Sequence, residues 1–129
     1  MPKQILPRPT DAELEILNVL YRRGPSTVRE IYHIINKQKP TVYTTVLKML
    51  QIMTDKGLVK RDDRDRAHSY EARLPQEQTQ RQLLNDLLKR AFEGSAAKLV
   101  MQALSSKKTS AEDLAQIRAL LDKMERNRK

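Results

Sequence analysis

The chain has 129 residues, with 25 Lys and Arg against 16 Asp and Glu, and it contains no cysteine. This length suits one small domain with an appendage or two small domains, and the formal net charge of +9 indicates a polyanionic partner, because cations placed on phosphates release condensed counterions. The composition excludes disulfides and thiolate metal sites, and no apolar run is long enough for a signal peptide or a membrane span. We therefore expect a cytoplasmic protein without membrane insertion.

A first helix is predicted after a proline-rich start. Met1–Pro9 holds three prolines and is expected to be an irregular arm. Thr10 and Glu13 have the spacing of a capping box, in which each side chain accepts a backbone N–H of the other residue. The helix that begins there carries a leucine-rich stripe and ends at Arg22–Pro25.

A second, shorter helix follows in the same pattern. Thr27 and Glu30 form another capping box, and isoleucines at helical spacing continue to about Asn36. The linker Lys37–Pro40 is then the tight turn of a helix-turn-helix. Pro40 is tolerated in a first helical turn because its missing N–H has no partner there.

The third predicted helix has one apolar and one polar face. The apolar residues recur at three- and four-residue steps and are expected to face a core: Val42, Val46, Met49, Leu50 and Met53. The opposite face carries Tyr43, Thr44, Lys48 and Gln51. Gly57 stands where a helix ends in a left-handed residue.

Two short strands follow this helix. Leu58–Val59 and Ser69–Ala72 are expected to pair as a hairpin, and the charged run Lys60–Arg66 between them is expected to be a solvated loop. A helix followed by a hairpin with a basic tip is typical of a winged helix-turn-helix, whose recognition helix enters the major groove while the wing touches the neighbouring backbone. The predicted fold is mostly α with a small β hairpin.

The remainder of the chain reads as three helices without a strand. We place a domain boundary near Pro75, so that residues 1–75 form the DNA-binding domain and residues 76–129 a three-helix dimerisation domain. These short helices are too small to form a stable core alone and are expected to pack against the same helices of a second subunit. Such a homodimer would place two recognition helices about 34 Å apart and require a palindromic site. The residues expected at this interface are Leu84, Leu87, Leu88, Leu99, Leu114, Ile117 and Leu121.

The ordered set of these features resembles the BlaI/MecI/CopY family of bacterial repressors, also known as the penicillinase repressor family. The resemblance runs from about Leu6 to Met124 and includes the Lys56–Val59 turn, the hairpin from Arg66 to Tyr70 and the leucine-rich tail. It implies a winged-helix homodimer that binds double-stranded operator DNA and silences genes of antibiotic resistance or metal homeostasis. It also implies relief of repression when a membrane-bound metalloprotease sensor, or a pathway that the sensor starts, leads to cleavage in the dimerisation domain.

The resemblance assigns residues of this chain to the DNA and to cleavage. Those expected to face DNA are Thr41, Tyr43, Thr44 and Lys48 near the recognition helix, with Arg64 and Arg66 in the wing. The bond that aligns with the cleavage position of the β-lactam-responsive members joins Gln102 and Ala103, where those members have Asn and Phe.

Two further departures from the family pattern bear on function. The recognition helix is about one turn longer, with the extra residues within Lys48–Thr54, so the identity of the base-reading side chains is less constrained. The cysteine cluster of the copper-responsive branch is absent, which argues against copper sensing of that type.

The charged surface also has interpretations that do not involve operator DNA. The arginines of the wing alternate with Asp62, Asp63 and Asp65, so the loop can pair with itself instead of gripping phosphate. The rival function is a winged-helix module that binds proteins or RNA without operator specificity. His33 and His68 are too isolated to indicate a metal site or acid–base chemistry, so we expect no cofactor, no metal and no enzymatic activity.

Overall fold

The computed structural model describes residues 8–128. Most of the expected irregular arm, Met1–Pro9, lies outside the described residues, including Leu6, where the family resemblance begins. Lys129 also lies outside them. The chain divides into two compact units, of which the first ends at Leu84 and the second begins at Asn85. The elements are α1 (Asp11–Arg23), β1 (Ser26–Thr27), α2 (Val28–Gln38), α3 (Tyr43–Lys56), β2 (Val59–Asp62), β3 (Ser69–Ala72), α4 (Gln76–Ala91), α5 (Ala96–Ser106) and α6 (Ala111–Asn127).

Local side-chain chemistry begins the first two helices as predicted. In α1 the backbone N–H of Glu13 donates to the Thr10 hydroxyl at 3.2 Å, and the N–H of Thr10 donates to the Glu13 carboxylate at 2.9 Å. Thr27 and Glu30 make the same reciprocal pair at the start of α2. Both capping boxes are confirmed, and each satisfies two backbone donors that have no partner within the helix.

The turn between α2 and α3 lies later than expected. Because α2 continues to Gln38, the turn comprises the residues from Lys39 to Val42. Pro40 therefore lies in the turn, and its placement in a first helical turn was wrong. Val42 precedes the helix and is 61% exposed, so its assignment to the buried face was also wrong. Val42 has an extended backbone, so the three- and four-residue spacing of a helix does not predict which way its side chain faces.

The hairpin is part of a three-stranded antiparallel sheet, in the order β1-β3-β2. β1 pairs Ser26 with Tyr70, a strand that the sequence analysis did not predict. β2 extends to Asp62, because the charged residues Lys60 and Arg61 pair with β3 through their backbones. The expectation of a loop that starts at Lys60 is thus wrong.

The core of the first unit lies where α1, α2, α3 and the sheet meet. Its members are 8% exposed or less, and burial of each such side chain stabilises the fold by about 1.5–3 kcal/mol. They are Ile16, Leu17, Val19, Leu20, Val28, Ile31, Ile35, Val46, Leu50, Met53, Leu58, Val59 and Tyr70. Gly57 ends α3 with φ 83° and ψ 18°, which confirms the left-handed position and turns the chain into β2.

An ion pair joins two helices of this unit across the sequence. The Lys56 ammonium lies 2.7 Å from the carboxylate of Glu13, whose side chain is 7% exposed. Burial opposes ionisation of Glu13, but the hydrogen bonds from Lys56 and from the N–H of Thr10 outweigh it and lower the pKa of Glu13. The end of α3 is thereby fixed to the start of α1.

In the second unit, the described part of the chain has no fully buried residue in α5 or α6. Ser95 and Ser110 cap these helices through hydrogen bonds from the N–H groups of Lys98 and Asp113. α6 continues to Asn127, and the backbone N–H of Arg128 donates to the carbonyl oxygen of Glu125 at its end. Within residues 8–128, every helix is too short or too polar to cross a lipid bilayer.

Candidate nucleic-acid interface

α3 presents a polar face because its apolar face is fixed in the core. Val46, Leu50 and Met53 are no more than 2% exposed, which sets the rotation of the helix about its axis. Four residues of the other side are exposed, as predicted: Tyr43, Thr44, Lys48 and Gln51. An exposed helix with short polar and basic side chains near its start suits the major groove of DNA.

Thr41 has a different position from the other predicted contacts. It precedes α3 and is half-buried, and its N–H donates to the Asn36 side-chain oxygen at 2.9 Å. This bond ties the turn to the end of α2. Val42 caps α3 without any side-chain hydrogen bond. The start of α3 therefore carries the positive end of the helix dipole without an acidic side chain in its first turn.

Tyr43 is held by two residues of α2. Its ring meets Tyr32 edge to face, with 5.8 Å between the centroids and an interplanar angle of 71°. The guanidinium of Arg29 lies 5.8 Å from the Tyr43 centroid, a cation–π contact. Arg29 was not among the residues predicted to contact DNA. Its signal is a cation in the first turn of a helix, where the dipole disfavours positive charge.

The wing is largely self-neutralised. Arg64 donates to Asp62 through its backbone N–H at 3.0 Å and through its guanidinium at 2.6 Å. These bonds lower the pKa of Asp62 to about 2, and those from the guanidinium have the larger effect. The same pair raises the pKa of Arg64. Asp62 is therefore ionised throughout the neutral range, and the Arg64 charge is compensated within the wing.

A second cluster in the wing is centred on Asp63. Its carboxylate accepts from Arg61 at 2.6 Å and lies 2.9 Å from Nδ1 of His68. The hydrogen bond to Asp63 raises the pKa of Arg61, and a hydrogen bond to Tyr70 adds a smaller increase. By contrast, Arg66 forms no ion pair with any residue in the range 8–128. The two wing residues predicted to serve DNA thus differ, since Arg64 is paired and Arg66 is not.

A groove of about 470 Å³ lies between the start of α2, the polar face of α3 and the wing. Of the predicted contact residues, it brings together Tyr43 and Arg66, whereas Thr41, Thr44, Lys48 and Arg64 do not line it. Its other lining residues are Thr27, Val28, Arg29, Leu47, Gln51, Arg61, Ala67, His68 and Tyr70. The guanidinium groups of Arg29 and Arg66 can bind phosphate at this groove, and the exposed Tyr43 ring can stack on a planar group.

The residues predicted for dimerisation and cleavage lie in the helices after the wing. Leu84, Leu87, Leu114 and Leu121 are each more than a third exposed, between 39% and 54%. Leu88, Leu99 and Ile117 are half-buried. Gln102 and Ala103 are exposed, but both lie inside α5, where the backbone is helical.

Comparison with known proteins gives three findings. Residues 9–123 match the penicillinase repressor family. The chain is 36% identical over 66 residues to the transcriptional regulator BlaI from two strains of Mycobacterium tuberculosis, an alignment that covers 50% of this chain and 48% of each relative. The chain thus spans about half the length of these curated relatives.

Part of this chain is also similar to a solved structure. A solution structure of the DNA-binding domain of the repressor BlaI aligns with a TM-score of 0.51 and 22% sequence identity, over 57% of this chain and 90% of that one. This likeness supports the winged-helix fold. Since the family match extends over most of the chain, this protein belongs to the penicillinase repressor family, a family of transcriptional repressors and not of enzymes.

Proposed function

We propose that the chain is a homodimeric transcriptional repressor that binds palindromic operator DNA and blocks transcription. The observation that carries the proposal is the exposed polar face of α3 beside uncompensated cations. Arg29, Lys48 and Arg66 are exposed and make no ion pair with the described residues 8–128. A helix with such flanking charges can enter a groove while the cations neutralise the phosphates on either side.

Each element of the site has a proposed role. Tyr43 and Thr44 stand near the start of α3, where groove-reading side chains of helix-turn-helix proteins lie, and they would read base edges. Lys48 would bind phosphate, because a flexible ammonium is a less selective reader than a planar guanidinium. Arg29 and Arg66 would bind phosphate across the groove that they share, and Thr41 would approach the backbone from the turn.

The exposed apolar residues of the second unit support dimerisation. Leu120, Leu121 and Met124 of α6 are 54% to 59% exposed, and Met101 of α5 is 66% exposed. Leu120, Leu121 and Met124 lie at one- to four-residue steps on α6, and exposed apolar surface of this kind marks an interaction site. A second copy of the same chain is the partner that would place two α3 helices on one face of a duplex, as a palindromic operator requires.

Relief of repression would follow from loosening of this dimer. Two half-sites held by one dimer gain about 10²–10⁴ in avidity, which is lost when the subunits separate. Cleavage at Gln102–Ala103 by a membrane-bound metalloprotease sensor is one such route. The bond lies in the helix α5, so α5 would have to unfold locally before a protease could bind it in an extended form.

The first experiment selects genomic DNA fragments with the purified full chain and measures its mass by light scattering. A dimer that enriches a single dyad sequence is the expected result. A steep salt dependence of the affinity should accompany it, since most contacts are to phosphates. A monomer, or a dimer that prefers RNA or shows no sequence preference, would instead support the interaction-module function.

A charge in the apolar seam of α6 tests the link between dimerisation and operator binding. Ile117→Asp should yield a monomer with about 100-fold weaker affinity for the dyad, while affinity for one half-site is unchanged. Ala119→Asp adds the same charge on the opposite side of α6, about 200° around the helix, and should behave like the wild type. Dyad binding by Ile117→Asp at wild-type strength would contradict the dimer model.

A further inference from the structure

The connection between the wing and α4 is restrained at three consecutive residues. The N–H of Arg73 donates to the carbonyl oxygen of Leu58 at 3.0 Å. The carbonyl oxygen of Leu74 accepts a hydrogen bond from the Tyr21 hydroxyl at 3.2 Å. Pro75 has a φ fixed by its ring. A connector of this kind has little freedom to act as a hinge.

The first turns of α4 are held by the same tyrosine. Thr79 is the only buried residue of α4, at 4% exposure, and its hydroxyl lies 2.8 Å from the hydroxyl of Tyr21. The Tyr21 hydroxyl has one proton, which it donates to Leu74, so it accepts the bond from Thr79. One side chain of α1 thereby joins the residue before Pro75 to the second turn of α4.

The chemistry of this contact matters because it is directional. A helix that buries an apolar stripe can slide or rotate slightly with little loss of contact, whereas a hydrogen bond weakens steeply when its distance or angle changes. The buried residue of α4 is polar, and its hydroxyl is hydrogen-bonded to Tyr21. The hydrogen bonds therefore hold the first two turns of α4 in one direction within the first unit.

We infer that Tyr21 and Thr79 are positioning residues that set the half-site spacing accepted by the dimer. The inference rests on the proposed function, since only a dimer reads two half-sites. α4 continues to Ala91, into the part of the chain that the dimer would use. If the start of α4 is held firmly in the first unit, the dimer should accept one half-site spacing, and if it is loosened the dimer should accept several.

The first test measures the hydrogen bonds of Tyr21 to Leu74 and Thr79 directly, without DNA. The N–H groups of Gln78 and Thr79 donate to the carbonyl oxygen of Pro75 at 3.1 and 3.3 Å. In the full chain with Tyr21→Phe, hydrogen exchange at these two amides should be about tenfold faster, while exchange at Leu50 in the core is unchanged. Unchanged exchange at Gln78 and Thr79 would overturn the inference.

The second test measures spacing on DNA. The dyad selected by the wild type is synthesised with one base pair added or removed between half-sites, which rotates one half-site by about 35°. The wild type should lose about 100-fold in affinity, and Tyr21→Phe and Thr79→Val only about tenfold or less, with equal half-site affinity for all. Thr79→Ser keeps the hydroxyl and should restore the wild-type spacing preference.

The outcomes separate the inference from the function on which it rests. A wild type that selects no dyad would refute the proposed function and the role in spacing together. The exchange measurement would still show whether the Tyr21 hydrogen bonds hold the start of α4. A wild type that selects a dyad, with the same spacing preference in Tyr21→Phe, would refute the inference alone. Failure of Thr79→Ser to restore the preference would assign the effect of Thr79→Val to packing and would also count against it.

Discussion

The unequal state of Arg64 and Arg66 leads to a sharp prediction about DNA binding. Arg66 makes no ion pair within residues 8–128, so in Arg66→Gln a cation available for phosphate is lost. Each phosphate contact contributes about 0.9 to the slope of log K against log salt concentration. A dimer carries two copies, so the slope should fall by about 1.8. At 0.1 M salt this corresponds to about eightfold weaker binding for each subunit, or about 60-fold for the dimer.

The matched control removes Arg64 together with its partner. The double variant Asp62→Asn/Arg64→Gln keeps the net charge at +9, because one acidic and one basic side chain are lost. Since Asp62 already compensates Arg64 at 2.6 Å, the salt slope of the double variant should equal that of the wild type. Asp62→Asn alone retains an oxygen for the Arg64 N–H but frees the guanidinium, so its slope should rise by about 0.9 for each subunit.

Fluorescence anisotropy with a labelled duplex, titrated at several salt concentrations near pH 7, measures these slopes. Asp62 stays ionised under these conditions, because its pKa is about 2. The reasoning would be refuted if the double variant lost as much slope as Arg66→Gln. In that case Arg64 exchanges Asp62 for a phosphate when DNA binds, and the pairing seen in the free protein does not persist in the complex.

Two predictions concern the stability of the first unit. Leu50 is fully buried, so Leu50→Ala should lower the free energy of unfolding by about 2–5 kcal/mol in urea denaturation, whereas Ile52→Ala on the same helix, 44% exposed, should change it by about 0.5 kcal/mol or less. Glu13→Gln should cost about 1 kcal/mol near pH 7, a modest value because Lys56 is partly exposed. Folding lowers the Glu13 pKa from 4.5, so this loss of unfolding free energy should be present above pH 4.5 and disappear as the pH falls through the folded-state pKa. A loss that persisted at lower pH would show that the charge of Glu13 is not its source.

Features that depend on a few neighbouring residues were predictable from the sequence. The two capping boxes and the left-handed Gly57 involve residues at most three apart, so their chemistry can be read from spacing alone. The buried face of α3 also followed from periodicity, and with it the exposed positions of Tyr43 and Lys48. The roles of these residues on DNA, and the dimer, remain predictions.

The candidate site was only partly predictable. Arg64 and Arg66 were predicted together as wing contacts to DNA, with pairing inside the wing as the alternative. The alternation of charges cannot decide this, because it depends on which side chains share a side of the loop. The structure pairs Arg64 with Asp62 and places Arg66 in a groove with Arg29, a residue of α2 that lies outside both the recognition helix and the wing.

The sequence alone therefore determined which segments form helices, the capping boxes of α1 and α2 and the presence of a wing hairpin, because local hydrogen bonds and apolar periods decide each of them. Only the tertiary structure decided the contacts between distant segments. β1 exists because Ser26 pairs with Tyr70, Lys56 meets Glu13, and Tyr21 binds Thr79. The physical reason is that such contacts depend on where folding of the whole unit brings two segments together, and no local pattern in either segment specifies its partner.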